Sequence, residues 1–117
     1  MGFIVGAADE NSLDLGFAAL ADPTRRAILD RLQRGPATLA EIAEPFDMSV
    51  PAVAKHLAVL ERAGFLVRGR RSRQRPVAID PRGFQPLQGF LARHQDRWNQ
   101  RLDRLGRFLD QQQSPPE

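Results

Sequence analysis

The chain of 117 residues contains no cysteine and no tyrosine. The absence of cysteine excludes disulfides, thiolate catalysis and metal sites built on thiolate ligands. Histidine is scarce, because His56 and His94 are the only two, and no glycine-rich phosphate loop or nucleophile motif is present. The sequence therefore predicts a protein without catalytic residues and without a cofactor.

Long apolar runs are also missing. No segment approaches the length of a membrane span, and the first residues, MGFIVGAADENS, lack the basic region of a signal peptide. We therefore expect a cytoplasmic protein with no membrane partner. The length predicts one domain, over residues 12–111, between a flexible arm at residues 1–11 and a frayed tail at residues 112–117.

Charge is unevenly distributed along the chain. Seventeen basic residues exceed fourteen acidic ones, and none of the basic residues precedes Arg25. A run of arginines without any acidic residue lies between the apolar segments FLV and VAI. A charge run is most often just a solvated surface, but a run of one sign on a hairpin tip is typical of groups that neutralise DNA phosphates. The arginines predicted to do so are Arg68, Arg70, Arg71, Arg73 and Arg75.

The segment just before this run predicts a helix over about residues 50–63. Ser49 is a favourable N-cap, Pro51 is tolerated in a first turn, and Gly64 favours a left-handed C-terminal cap. One face carries an apolar stripe suited to packing: Val53, Leu57 and Leu60. Ser49, Ala52, Lys55 and His56 lie on the other faces. The residues predicted to contact DNA are Ser49, Val50, Pro51, Ala52, Lys55 and His56.

A shorter helix over about residues 39–45 is predicted just upstream. Thr38 and Glu41 have the spacing of a capping box, in which each side chain bonds the other residue's backbone amide. Two helices joined by a tight turn are the arrangement that places a recognition helix in the major groove, with Thr38 as a backbone contact. An ordinary helical hairpin is the alternative interpretation of these two helices taken alone.

The remaining elements complete a mainly α fold with a small β-hairpin, in the order α-α-α-α-β-β-α. Helices are predicted over residues 13–21, with Ser12 as the N-cap, from Pro23 to Leu32, and over residues 85–112. The strands are predicted near residues 65–70 and 75–80.

The last predicted helix carries an apolar stripe longer than a small domain can cover. We therefore expect a homodimer through the first and last helices, although the same stripe could cover its own domain. His94 and Asp96 share a turn, but no second histidine follows, so no metal site is predicted. The predicted interface residues are Leu15, Phe17, Leu20, Leu87, Leu91, His94, Trp98, Leu102, Leu105 and Leu109.

The stretches FAALADPTRRAILDRL and LAEIAEPFDMSVPAVAKHLAVLERAGFLVRGRR resemble the ArsR/SmtB family of bacterial regulators, in particular its branch without metal-site cysteines. The resemblance implies a homodimeric winged helix-turn-helix repressor that binds a palindromic operator in double-stranded DNA. Relatives often carry polar residues where this chain has Val50 and Ala54. A small-molecule inducer is possible, and the sequence does not identify it.

A second functional class stays open at this point. A winged helix can bind another protein instead of DNA, with Val50, Pro51 and Ala54 forming a small apolar contact patch. Salt separates the two classes, because arginine contacts to DNA weaken steeply with added salt and an apolar contact does not.

Overall fold

The computed structural model describes residues 2–69 and 75–113. It has the predicted order of helices and strands, with a 3-10 helix added before the last helix. The chain separates into two compact units, of which the first ends at Leu87 and the second begins at Gln88. The elements are α1 (Gly2–Leu20), α2 (Pro23–Leu32), α3 (Leu39–Ala43), α4 (Val50–Arg62), β1 (Leu66–Arg68), β2 (Val77–Ile79), a 3-10 helix (Pro81–Phe84) and α5 (Gln85–Gln113).

Side-chain caps determine where three of the helices begin. The Asp22 carboxylate accepts a hydrogen bond from the Arg25 amide at 3.0 Å, and Pro23 then occupies the first turn of α2. Ser49 accepts from the amide of Ala52 at 3.2 Å and starts α4. Each cap satisfies an amide that has no partner inside its helix, which confirms the predicted helix starts.

The capping box at α3 is also confirmed. Thr38 accepts a hydrogen bond from the Glu41 amide at 3.3 Å, and the Glu41 carboxylate accepts from the Thr38 amide at 3.0 Å. Because two otherwise unpaired amides are satisfied together, a helix of five residues can begin sharply here.

The wing is an antiparallel hairpin in which Leu66 pairs with Ile79 and Arg68 with Val77. Ala37 extends this sheet, because it exchanges two backbone hydrogen bonds with Val77, at 2.8 and 3.0 Å. The segment that precedes α3 is therefore fixed to the wing. Both strands are shorter than predicted, and residues 70–74 lie outside the described residues.

The core of the first unit collects apolar side chains from all its helices and both strands. Phe65 is fully buried and stacks on Phe84, with ring centroids 4.2 Å apart and planes within 3°. Burial of this apolar surface is the main force that holds the helices together. The buried residues are Ala19, Ile28, Leu29, Leu32, Ala37, Ile42, Ala43, Val53, Leu57, Leu60, Ala63, Phe65, Leu66, Val77 and Leu87.

Two predictions about the scaffold need correction. Helix α1 begins at Gly2, eleven residues before the predicted start at Leu13, and so includes most of the predicted arm. Residues 2–20 contain no proline, and each glycine costs a helix only about 1 kcal/mol, so the sequence permits the longer helix. Whether the arm is flexible stays a prediction.

The second correction concerns Leu87, which was predicted to lie in the dimer interface. Leu87 is only 5% exposed and belongs to the core of the first unit. Its packing partner is Gly16 of α1, where an added Cβ would lie 2.5 Å from Leu87 Cδ1. Leu87 therefore stabilises its own chain.

The second unit consists of the remainder of α5, and its apolar side chains are largely exposed. His94 packs between two aromatic rings of the same helix, 4.5 Å from Phe90 and 5.6 Å from Trp98 between ring centroids. The exposed apolar side chains are Leu91, Trp98, Leu102, Leu105, Phe108 and Leu109. None of the described helices is long and apolar enough to cross a membrane.

Candidate nucleic-acid interface

Helix α4 has one buried and one exposed face. Val53, Leu57 and Leu60 are completely buried, which fixes the rotation of the helix about its axis. The N-terminal end of the helix is open to solvent at Ser49, Val50, Pro51 and Lys55, whereas Ala52 is half-buried. A helix held by one face and open at its N-terminal end can enter the major groove.

The turn between α3 and α4 brings the two helix starts close together. Thr38, Leu39 and Ala40 from the start of α3 line a shallow cavity of about 260 Å³ together with Val50 from the start of α4. Val50 is 48% exposed at this place. Its apolar surface can contact a thymine methyl group, although it cannot form a hydrogen bond to a base edge.

His56 lies in a different environment from the other predicted recognition residues. Its Nδ1 atom is 3.3 Å from Nη1 of Arg25 and 3.9 Å from the Asp22 carboxylate, and its side chain is 23% exposed. The imidazole therefore contacts the start of α2 with one nitrogen. The DNA contact of His56 remains a prediction. Because Nδ1 faces α2, a hydrogen bond from His56 to DNA would have to come from Nε2.

The described part of the wing shows two of the five predicted arginines. Arg68 Nε donates to the Glu61 carboxylate at 2.6 Å, so that this guanidinium ties β1 to the last turn of α4. Arg75 is exposed, with φ at 44°, and its Nε donates to the Gly69 carbonyl at 3.5 Å. Arg70, Arg71 and Arg73 lie outside the described residues. Arg68 thus pairs with Glu61 within the fold, in addition to its predicted contact with a DNA phosphate.

No cluster of three or more histidine, cysteine, aspartate or glutamate side chains with metal-binding geometry occurs within residues 2–69 and 75–113. His56 lies on α4, and His94 lies among the aromatic rings of α5.

A capped helix pair with an exposed second helix, followed at once by a two-stranded wing, defines the class of winged helix-turn-helix proteins. Residues 20–69, which span α2 to β1, match a family described as a helix-turn-helix domain.

Comparison with known proteins shows which family within this class the chain resembles. The chain is 36% identical over 99 residues to the HTH-type transcriptional regulator Rv2034 of Mycobacterium tuberculosis, covering 85% of this chain and 90% of that protein. It is 49% identical over 47 residues to the transcriptional repressor SdpR of Bacillus subtilis, covering 40% of this chain and 52% of that protein.

Solved structures agree with the sequence relatives. An ArsR family transcriptional regulator matches with a TM-score of 0.70 and 45% identity, covering 75% of this chain and 97% of that one. An ArsR-like transcriptional regulator from Rhodococcus sp. RHA1 matches with a TM-score of 0.74 and 27% identity, covering 92% and 96%. The chain belongs to the ArsR family of helix-turn-helix transcriptional regulators.

Sequence reasoning missed the contacts that support α4. Nothing in one sequence pairs Arg25 with His56, which lies 31 residues later. The ion pair between Glu61 and Arg68 could not be predicted either, because the sequence around Glu61 is typical of a solvated acidic residue near a helix end. Both contacts depend on how helices pack, which local patterns do not specify.

Proposed function

We propose that this chain is a repressor that binds a palindromic operator as a homodimer, with α4 in the major groove and the wing on the DNA backbone. The observation that carries the proposal is the exposed N-terminal end of α4 on a helix whose other face is buried. This end combines Ser49, Val50, Pro51 and Lys55, whereas the arginines of the wing supply phosphate contacts.

The proposed roles divide by chemistry. Lys55 is an exposed cation on the recognition helix and can donate hydrogen bonds to the acceptors of guanine. Ser49, Pro51 and Ala52 allow close approach of the helix start, and Thr38 lies at the start of α3 within reach of a phosphate. Arg68, Arg70, Arg71, Arg73 and Arg75 neutralise phosphates or enter the minor groove.

Dimerisation is supported by the apolar surface of α5. Trp98 is 46% exposed and Leu102 is 63% exposed, which is unfavourable for large apolar side chains that form one contiguous stripe. A twin helix that covers the stripe would remove this surface from water. The proposed interface comprises Leu91, His94, Trp98, Leu102, Leu105 and Leu109 of α5.

Helix α1 is the proposed second part of the interface. Phe17 is 40% exposed, whereas Leu15 and Leu20 are half-buried against their own core and would contribute less. The two copies of α4 in the proposed dimer, related by a two-fold axis, fit DNA half-sites about 34 to 36 Å apart. A palindromic operator therefore follows from the symmetry of the dimer. An inducer that changed this separation would release the operator.

The proposal is tested by titrating the chain with an operator fragment and with random DNA at several salt concentrations. Specific binding should be at least about a thousandfold tighter than random binding at physiological salt, and both affinities should fall steeply as salt increases. Equal affinity for both duplexes would contradict a sequence-specific regulator.

A second candidate function rests on the cavity beside Val50. An exposed apolar side chain next to a cavity lined by Leu39 and Ala40 could receive an apolar side chain of another protein, with Pro51 and Ala54 as neighbours. Such binding would change little with salt, because it would depend on apolar burial. The same titrations with salt distinguish the two candidates.

A further inference from the structure

Arg25 joins three elements of the first unit. Its Nε donates to the carbonyl of Ala19 at 2.7 Å and its Nη2 to the carbonyl of Ala18 at 3.0 Å, both in the last turn of α1. Its Nη1 lies 3.3 Å from Nδ1 of His56 on α4. One planar guanidinium on α2 therefore bridges the end of α1 and the recognition helix.

The chemistry of this bridge assigns the proton on His56. A guanidinium has five N–H donors and no acceptor, so a hydrogen bond between Arg25 and His56 requires Nδ1 of the imidazole to accept. A neutral imidazole then carries its proton on Nε2. The bond also fixes the orientation of the His56 ring, because its acceptor must point toward α2.

The carbonyls of Ala18 and Ala19 are well suited to hold the other side of Arg25. The last four carbonyls of a helix have no intrahelical partner, and the negative end of the helix dipole favours a cation there. The carboxylate of Asp22 accepts from the amide of Arg25, which fixes the backbone from which this side chain extends. The carbonyls of α1 and the fixed backbone of Arg25 therefore hold the guanidinium in position beside α4.

We propose that Arg25 is a positioning residue for DNA reading, which holds α4 against the end of α1 by way of His56. The proposal rests on the DNA-binding function proposed above. The burial of Val53, Leu57 and Leu60 sets one face of α4, and the bond from Arg25 to His56 fixes a second side of the helix. Arg25 also links α1, the helix proposed for dimerisation, to the helix proposed to read bases.

The neighbouring Arg26 provides a matched control. Its Nη1 donates to the Leu20 carbonyl at 2.7 Å, so it too holds the end of α1, but the structure gives it no bond to α4. Arg25→Gln and Arg26→Gln remove the same charge from adjacent positions. A difference between them therefore reports the contacts that Arg25 alone makes, with Ala18, Ala19 and His56, and not the loss of a cation.

The experiment titrates both variants with an operator fragment selected by the wild-type chain and with random DNA of equal length. We expect Arg25→Gln to lose about tenfold or more in operator affinity, as for the loss of a charge-assisted hydrogen bond. Arg26→Gln should lose less than about threefold, and both variants should weaken equally on random DNA. Equal operator affinities for the two variants would overturn the proposal.

Substitutions of His56 separate positioning from direct DNA contact. The amide oxygen of Asn lies near the place of Nδ1, so His56→Asn keeps the acceptor for Arg25, whereas the longer Gln side chain places its amide near Nε2. We expect His56→Asn to lose less operator affinity than His56→Gln, which should lose as much as Arg25→Gln. The reverse order would show that His56 acts on DNA directly, and would overturn the proposal.

A double variant checks that the two residues act as one unit. Arg25→Gln with His56→Ala should lose no more operator affinity than the more damaging single change, because each removes the same bond. Additive losses would contradict the proposal. If Arg25→Gln does not fold, Arg25→Lys takes its place, since an ammonium keeps the charge but cannot span two carbonyls and an imidazole. A wild-type chain without preference for any fragment would instead reject the proposed function itself.

Discussion

Gly83 of the 3-10 helix lies directly against the backbone of Gly64, which follows α4. A Cβ atom on Gly83 would overlap the Gly64 carbonyl and approach the amide of Phe65 to 2.9 Å. Gly64 has φ at +87°, a conformation that favours glycine and ends α4. The contact between these two glycines allows Phe84 to stack on Phe65 in the core.

Gly83→Ala should therefore destabilise the fold by about 2 kcal/mol or more, because two backbone segments must move apart in a close-packed core. Gly89→Ala is the control, since its added Cβ meets only the flexible tip of Arg93, at 3.3 Å, and helix propensity favours alanine by about 1 kcal/mol. Denaturant unfolding of both variants measures the difference. Equal stability of the two would contradict the close approach.

Trp98→Ala tests the proposed dimer interface. Trp98 is 46% exposed in the single chain, so its removal should cost the isolated fold little and the dimer much, about 3 to 5 kcal/mol if the twin buries it fully. Sedimentation should show a shift from dimer to monomer. Operator affinity should fall with it, because a single winged helix loses the second half-site.

Gln100→Ala is the matched control for Trp98, because position 100 is exposed and points about 200° away from position 98 around the helix. It should leave the dimer intact. If Trp98→Ala remains dimeric with native operator affinity, the dimer must form through other surfaces.

Arg71→Ala combined with Arg73→Ala tests the wing. The double variant should weaken binding to operator and random DNA alike and reduce the dependence of affinity on salt, because phosphate contacts carry little base information. For a dimer the log–log salt slope should flatten by roughly two to four. Arg101→Ala with Arg104→Ala removes the same charge from α5 and should leave the slope unchanged. An unaltered slope in the wing variant would exclude the wing from the interface.

Lys55→Ala tests the reading of bases. The variant should lose discrimination between operator and random DNA, by about 1 to 3 kcal/mol for each lost base contact, with a smaller effect on random DNA. Titrations of both duplexes measure the ratio. Arg62→Ala removes a cation from the opposite end of the same helix and should preserve the ratio. Equal losses on both duplexes would make Lys55 a backbone contact.

Acid should destabilise the fold through its capping carboxylates. The pKa of Asp22 is lowered chiefly by the hydrogen bond from the Arg25 amide, and the pKa of Glu41 chiefly by the bond from the Thr38 amide. The side chain of Arg82, followed by its amide, lowers the pKa of Asp80. Carboxyls with a lower pKa in the folded chain stabilise it above their ordinary pKa of about 4, and this contribution disappears as pH falls through the lowered values.

The thermal midpoint should therefore fall as the pH is lowered from about 5 to about 2. The triple variant Asp22→Asn, Glu41→Gln, Asp80→Asn should show a weaker dependence on pH in this range. The triple change of the exposed carboxyls Asp30, Asp47 and Asp96 to Asn removes as many charges but keeps the caps, and should retain the steep fall. The opposite ranking would contradict a role for the caps in acid stability.

The sequence predicted the helix starts well because caps are local. Asp22, Thr38 and Ser49 each act within three residues, so a short pattern contains the whole interaction. The apolar stripe of Val53, Leu57 and Leu60 could also be predicted from the sequence, because helical periodicity alone places these residues on one face. The helix-turn-helix and its exposed face follow from such signals.

The rest depended on distant packing. The burial of Leu87 against Gly16 could not be inferred from a stripe that continues through α5, because periodicity does not say where one packing partner gives way to another. The extra length of α1 was missed because Ser12 also reads as a favourable N-cap. The bridge from Arg25 to His56 joins residues whose separation in sequence carries no pattern.

Selection of the genomic fragments that the wild-type chain retains, at salt near the physiological level, tests the proposed function most directly. We expect strong enrichment of one or a few fragments that share an inverted repeat, with half-site centres about 34 to 36 Å apart, one turn of the double helix. Retention of fragments without a common sequence, or of none, would contradict the proposal that this chain is a dimeric, sequence-specific regulator.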